Sequence, residues 1–187
     1  MNQPYEKPHQ DVVARCREGD RSAQYELYRL YSKAMLNTAY RIVNNPYDAE
    51  DVLQEAFVSA FRNLASYQGK ATIGAWLKRI VVNKSINFLK QKKEGLSLDE
   101  LGEGQLESNS LPEPPAAEPD WQIAQIREAV QQLPEGFRTV FSLYLLEGYD
   151  HSEIAEILSI TESTSKSQLN RAKKKLREIL NEMYIHE

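Results

Sequence analysis

Ten residues at positions 111–120, LPEPPAAEPD, hold four prolines. Proline lacks the backbone N–H that helices and sheets both use, and its ring clashes with the preceding helical turn. No regular element runs through such a stretch, so apolar patterns on its two sides belong to separate cores. The surrounding composition widens the break. From Glu94 to Asp120 there are eight acids (Glu94, Asp99, Glu100, Glu103, Glu107, Glu113, Glu118, Asp120) and no Lys or Arg. Residues 94–120 are therefore expected to be an acidic tether, extended or disordered, between residues 10–93 and 121–187.

Charge is ordered along the chain, although the formal net charge is only -4. Trp76 to Lys93 carries six basic residues (Lys78, Arg79, Lys84, Lys90, Lys92, Lys93) and no acid. The stretch STSKSQLNRAKKKLR, 163–177, carries six more (Lys166, Arg171, Lys173, Lys174, Lys175, Arg177), again without an acid. The order is basic, acidic, basic, and such patterning says more about partners than the sum does.

The first part reads as helices. Val12, Val13, Cys16, Ala23, Leu27, Leu30, Tyr31, Ala34, Met35 and Ala39 recur at three- and four-residue spacings over residues 10–43, with a break at Gly19-Asp20. Asn45 is placed to cap a second segment and Pro46 stands at its first position, where a missing N–H costs nothing. Val52, Leu53, Ala56, Phe57, Ala60, Phe61 and Leu64 then form one apolar stripe. Tyr67 to Gly74 holds two glycines and reads as a loop. Ala75 to Lys90 returns to helix, with Trp76, Leu77, Ile80, Val81, Ile86 and Leu89 on one side.

The last part, 121–187, reads the same way. Ile123, Ile126, Val130 and Leu133 mark one helix. Phe137, Val140, Phe141, Tyr144 and Leu145 mark another, ending at Gly148. In DHSEIAEIL, Asp150 and Glu153 have the spacing of a capping box. The turn Ser159-Ile160-Thr161 leads to a long helix whose apolar residues are Leu169, Ala172, Leu176, Ile179, Leu180 and Met183. Two helices joined by so short a turn make a helix-turn-helix. With no strand signal, the predicted fold is all-α: two small helical domains joined by the acidic, proline-rich linker.

Several functions are excluded. One cysteine, Cys16, permits no internal disulfide and no cysteine cluster, and His9, His151 and His186 lie too far apart for a ligand spacing. Neither a metal nor a cofactor is expected. No phosphate loop, HExxH or GxSxG is present, and no nucleophile–base pair can be placed, so an enzyme has nothing to rest on. The N-terminus has no apolar h-region, and no apolar run approaches the roughly 20 residues that span a bilayer. A cytoplasmic protein without membrane insertion is the expectation.

Three surfaces are candidates for binding. The last helix presents Lys166, Ser167, Asn170, Arg171 and Lys174 away from its apolar side, as major-groove docking requires. The alternative is a solvated basic face, made less apt here by the capped helix and tight turn before it. The second surface lies on WLKRIVVNKSINFLKQKK, whose polar side carries Lys78, Arg79, Asn83, Lys84, Asn87 and Lys90. Asparagine can read a base edge, lysine can hold the backbone, and the loop before it can accept an unstacked base. Taken alone, the segment reads more readily as a bundle helix with snorkelling lysines. The third surface is the outer face of DAEDVLQEAFVSAF: Asp48, Asp51, Gln54, Glu55 and Val58. It suits either a contact with a basic partner helix or plain solvation.

NNPYDAEDVLQEAFVSAF followed by AWLKRIVVNKSINFLKQKK resembles region 2 of the bacterial sigma-70 superfamily, and LPEGFRTVFSLYLLEGYDHSEIAEILSITESTSKSQLNRAKKKLREIL resembles its region 4. With only these two regions, the chain is similar to extracytoplasmic-function (group IV) sigma factors from about residue 10 to 182. The resemblance implies an RNA polymerase sigma factor. Asp48, Asp51, Gln54 and Glu55 would meet the clamp helices of the polymerase beta-prime subunit. Arg79, Asn83, Lys84 and Asn87, with the loop from Tyr67 to Gly74, would engage the −10 element and help melt it, one non-template base flipping into the loop. Lys166, Ser167, Gln168, Asn170, Arg171 and Lys173 would read the −35 element. The linker would thread the polymerase's RNA path, and an anti-sigma factor is a fair expectation. About 25 linker residues reach roughly 80 Å when extended, ample for two separated promoter elements.

The sequence departs from the family pattern in places. Ser165 stands where Val or Ile is common, Gln168 where Arg is common, and Ser159 and Ser163 where glycine is common. Ser165 is expected either to weaken the core beneath the last helix or to bond back to the preceding turn. Gln168 suits adenine better than guanine. Two other functions compete: a stand-alone helix-turn-helix regulator with an N-terminal helical dimerisation or sensing domain, and a pure protein-interaction module. The regulator has no need of the second basic segment, and the charge order speaks against the module.

Overall fold

The computed structural model describes residues 9–96 and 121–185, and all regular structure among them is helical. The chain divides between Gly95 and Leu96 into two compact units.

The first unit contains α1 (Gln10–Arg17), α2 (Arg21–Val43), α3 (Pro46–Arg62), a 3-10 turn (Leu64–Ser66) and α4 (Ile73–Leu96). The breaks have local causes. Gly19 takes a left-handed conformation with φ 86, and the Asp20 carboxylate then accepts the Ser22 and Ala23 amides at 2.8 and 3.3 Å. Arg15 grips the same carboxylate at 2.8 and 3.0 Å, tying the end of α1 to the start of α2 and holding the acid below its usual range. Asn44, with φ 56, ends α2. Asn45 starts α3, its side chain accepting the Tyr47 and Asp48 amides at 2.9 and 3.1 Å, with Pro46 first in the helix.

α2 packs against both α1 and α3. The core is made of Val12, Val13 and Cys16 from α1, Leu27, Met35 and Ile42 from α2, Val52, Leu53 and Phe57 from α3, and Leu77, Val81, Ile86 and Leu89 from α4. Burying each large side chain stabilises the fold by about 1.5–3 kcal/mol. Burial also raises the pKa of the Cys16 thiol.

Sequence and structure differ in two respects here. α4 begins at Ile73 rather than Ala75, because Thr72 Oγ1 accepts the Ala75 amide at 3.2 Å and caps the helix. It also continues to Leu96, so the first residues of the expected linker are helical. The remainder of the linker, 97–120, lies outside the described residues. On α2, Leu30 is 45% exposed and Ala34 is also exposed. Leu27, Met35, Thr38 and Ile42 define the buried side, and Leu30 projects beside it.

The second unit contains α5 (Trp121–Gln131), α6 (Glu135–Phe141), a π-helical segment (Ser142–Leu146), α7 (His151–Leu158) and α8 (Glu162–Ile185). α8 packs against α5, α6 and α7. Leu133, Val140, Phe141, Leu143, Ile154, Leu169, Ala172 and Ile179 fill the core. Asp150 and Glu153 form the capping box, the Asp150 side chain accepting the Glu153 amide at 2.8 Å and the Glu153 side chain accepting the Asp150 amide at 2.9 Å. Ser159, with φ 58, makes the turn, and Thr161 Oγ1 accepts the Thr164 amide at 3.1 Å to start α8.

The segment read as plain helix up to Gly148 widens at its end, where the Glu147 amide reaches back to Ser142 O at 3.0 Å. Leu143 is buried there, while Leu145 and Leu146 face solvent. Ile123 and Ile126, whose spacing marks α5 as a helix, are 48% and 46% exposed.

Candidate nucleic-acid interface

On α8 the rotation is set by a buried stripe of Ser165, Leu169, Ala172 and Ile179. That stripe leaves Lys166, Ser167, Asn170 and Arg171 exposed, and Lys173 half-buried. Lys166 pairs with Glu162 at 3.3 Å, a weak surface pair that a phosphate can replace. Gln168 is half-buried, its amide oxygen turned toward α6: a Cβ on Gly136 would meet it at 3.8 Å. Ser165 is fully buried, and its hydroxyl shares a 2.8 Å hydrogen bond with His151 Nδ1. Its partner is thus a side chain of α7, which corrects the expectation of a bond back to the preceding turn.

On α4, Arg79, Asn83 and Asn87 follow one another at four-residue spacing and are all exposed. Lys84 lies beside them and reaches Glu55 Oε2 on α3 at 3.2 Å. Lys92 reaches Asp48 Oδ2 at 2.9 Å. Two acids assigned to a protein partner therefore pair with lysines of the helix assigned to DNA. Asp51 and Gln54 are exposed on the same side of α3.

The loop before α4 is built around Tyr67. This residue is buried, and its hydroxyl donates to Ala71 O at 2.7 Å, closing the loop on itself. Its ring lies 5.4 Å from that of Trp76, which is half-buried, and burial pushes the phenol pKa up. Arg17 of α1 donates to the Tyr67 carbonyl and places its guanidinium 5.8 Å from the Tyr67 ring centroid. A cleft of about 750 Å³ borders the loop, lined in part by Val13, Arg17, Phe61, Arg62, Tyr67 and Gly69. Among the described residues, no group of three His, Cys, Asp or Glu side chains is arranged to hold a metal ion, and no helix is long and apolar enough to cross a membrane.

Two family models match the chain: Sigma-70 region 2 at residues 27–94, and Sigma-70, region 4 at residues 123–176. The RNA polymerase sigma-H factor of Pseudomonas aeruginosa is 31% identical over 172 residues, covering 88% of this chain and 89% of the relative. This chain is an extracytoplasmic-function sigma factor of the sigma-70 superfamily. The ECF RNA polymerase sigma factor SigW of Bacillus subtilis is 28% identical over 180 residues, covering 91% of this sigma factor and 96% of its own length.

Two solved structures share the sigma factor's fold. The sigma factor RpoE of Bartonella quintana, in complex with the anti-sigma factor NepR, aligns with TM-score 0.61 at 22% identity over 84% of this chain and 96% of that one. CnrH, in complex with the cytosolic domain of CnrY, aligns with TM-score 0.53 at 22% identity over 91% and 96%.

The two matched regions fall one in each compact unit. Arg17 precedes the first of them and was not singled out from sequence. Its contact with Tyr67 spans 50 residues, and no local pattern reports such a contact. His151 was missed for the same reason, its bond to Ser165 spanning 14 residues. The Thr72 cap did leave a signal, a threonine three residues before Ala75, hidden among the loop's small residues.

Proposed function

We propose that this sigma factor docks on core RNA polymerase through the outer face of α3 and brings it to promoters whose two elements are read by α4 and α8. The observation that carries this reading is that each unit exposes a polar, basic stripe on the helix assigned to DNA: Arg79, Asn83 and Asn87 on α4, Lys166, Asn170 and Arg171 on α8. Asparagine and arginine are the residue types that bond base edges bidentately, and lysine neutralises phosphate. Asp51 and Gln54, with Asp48 and Glu55 beside them, form the polymerase contact, for which the clamp helices of the beta-prime subunit are the partner the resemblance implies. The Tyr67 loop, closed by its own hydroxyl, borders the place where an unstacked −10 base is received.

An anti-sigma factor fits as a further partner, since two proteins of like fold were solved with partners bound, one of them named an anti-sigma factor. The cytoplasm, where polymerase works, is the matching location. The role is specificity rather than catalysis by this chain.

Purified core polymerase and a promoter fragment test the residue assignments. Arg171→Ala is expected to weaken −35 binding by about 1–3 kcal/mol, selectively at one base pair. Equal loss on every sequence would make Arg171 a phosphate contact. Asn83→Ala is expected to relax discrimination within the −10 element alone, and Asp51→Lys to reduce core binding with the fold intact. Variants that leave both sequence preference and core binding unchanged would contradict the reading.

A further inference from the structure

We infer that His151 is a positioning residue for the recognition helix: through the buried Ser165 hydroxyl it fixes the rotation of α8 about its axis and so aims Lys166, Asn170 and Arg171. The inference rests on the reading of α8 as the −35 reader. Ser165 is the first member of the buried stripe of α8, with 0% exposure, where a core would ordinarily place an apolar side chain. A hydroxyl in that place requires a partner, and His151 Nδ1 supplies it at 2.8 Å. The histidine is itself held. It is the first residue of α7, directly after the N-cap Asp150 and so within the Asp150–Glu153 capping box, and its ring stacks on Tyr144 with centroids 4.5 Å apart and planes 19° apart.

One directional bond thus joins α7 to α8 at the start of the recognition helix, and the ring stack on Tyr144 braces its histidine against the π-helical segment. An apolar contact tolerates a small roll of the helix, whereas a hydrogen bond at this distance does not. A helix with its side chains is about 10–12 Å across, so a roll of about 10° moves a side-chain end by about 1 Å. Bidentate base contacts are lost over such a displacement, while phosphate contacts from flexible lysines survive it.

The test uses the full chain with core polymerase and measures the ratio of affinities for a cognate and a scrambled −35 element at one salt concentration. Ser165→Ala and His151→Ala are each expected to lower that ratio about tenfold. The double variant should fall no further, because both changes break the same bond. His151→Asn sets an amide atom where Nδ1 stands and is expected to keep most of the ratio. His151→Gln reaches instead toward the place of Nε2 and is expected to lose it. Affinity for the scrambled element should hold throughout. A lowered melting temperature with an unchanged ratio, multiplying losses in the double variant, or equal behaviour of the Asn and Gln variants would overturn the inference. Should His151→Ala not fold, the Asn and Gln pair decides. Asn170→Ala and Arg171→Ala in the parent chain serve as the reference. If they too leave the ratio unchanged, the premise about α8 has failed, and the inference falls for that separate reason.

Discussion

Ser159 turns the chain from α7 into α8 with φ 58, a conformation in which a side chain crowds the following carbonyl at a cost of about 1–2 kcal/mol. Part of that cost returns through the unfolded state, which glycine leaves freer. Ser159→Gly is therefore expected to stabilise the second unit by about 0.5–1 kcal/mol, read as a higher denaturation midpoint with an unchanged slope. Asn45 works in the opposite sense. Its side chain accepts two amides at the start of α3, so Asn45→Ala is expected to cost about 1 kcal/mol in the same measurement. Both sites were legible in the sequence, Asn45 because Pro46 follows it and Ser159 because it lies between two periodic helices. Ser165 was legible only as an anomaly: the sequence marks a polar residue on an apolar stripe, but the histidine that receives it is 14 residues away in another helix.

Among the helices, α3 shows what local pattern can do. Its cap, its first-turn proline and its apolar stripe were all in the sequence, and Val52, Leu53, Ala56, Phe57 and Ala60 are all buried. α5 shows where pattern stops. Ile123 and Ile126 have helical spacing with Val130, yet of these three only Val130 is buried, next to Ala129, because which side of a short helix is covered depends on its neighbours. The ion pairs between α3 and α4 were likewise invisible, since they join residues 29 and 44 apart in the chain. Their energetic weight is small: Glu55 is 69% exposed in its side chain, and exposed pairs contribute about 0–1 kcal/mol. Glu55→Gln should therefore shift the melting temperature little while weakening core polymerase binding, measured by titration of labelled core. A large loss of stability with unchanged core affinity would assign Glu55 to the fold instead.

For the molecule as a whole, the basic, acidic, basic order predicts two binding units and a tether, and the chain does divide into two compact units. Each unit has its own core and exposes its own polar stripe. On the proposed reading neither has to bind tightly alone, since joining them would turn the second contact into an intramolecular one at high effective concentration. The division of the chain and its helical class were legible because prolines and helical periodicity are local properties. The Arg17 anchor on the Tyr67 loop and the His151–Ser165 bond were not, because they depend on which surfaces the fold brings together. The most direct measurement is transcription by purified core polymerase from fragmented genomic DNA of the host, with this protein added and transcript starts sequenced. Starts clustered behind one shared pair of upstream elements are the expected result. An absence of such starts, together with tight binding of duplex DNA by the protein alone, would contradict it and favour a stand-alone helix-turn-helix regulator.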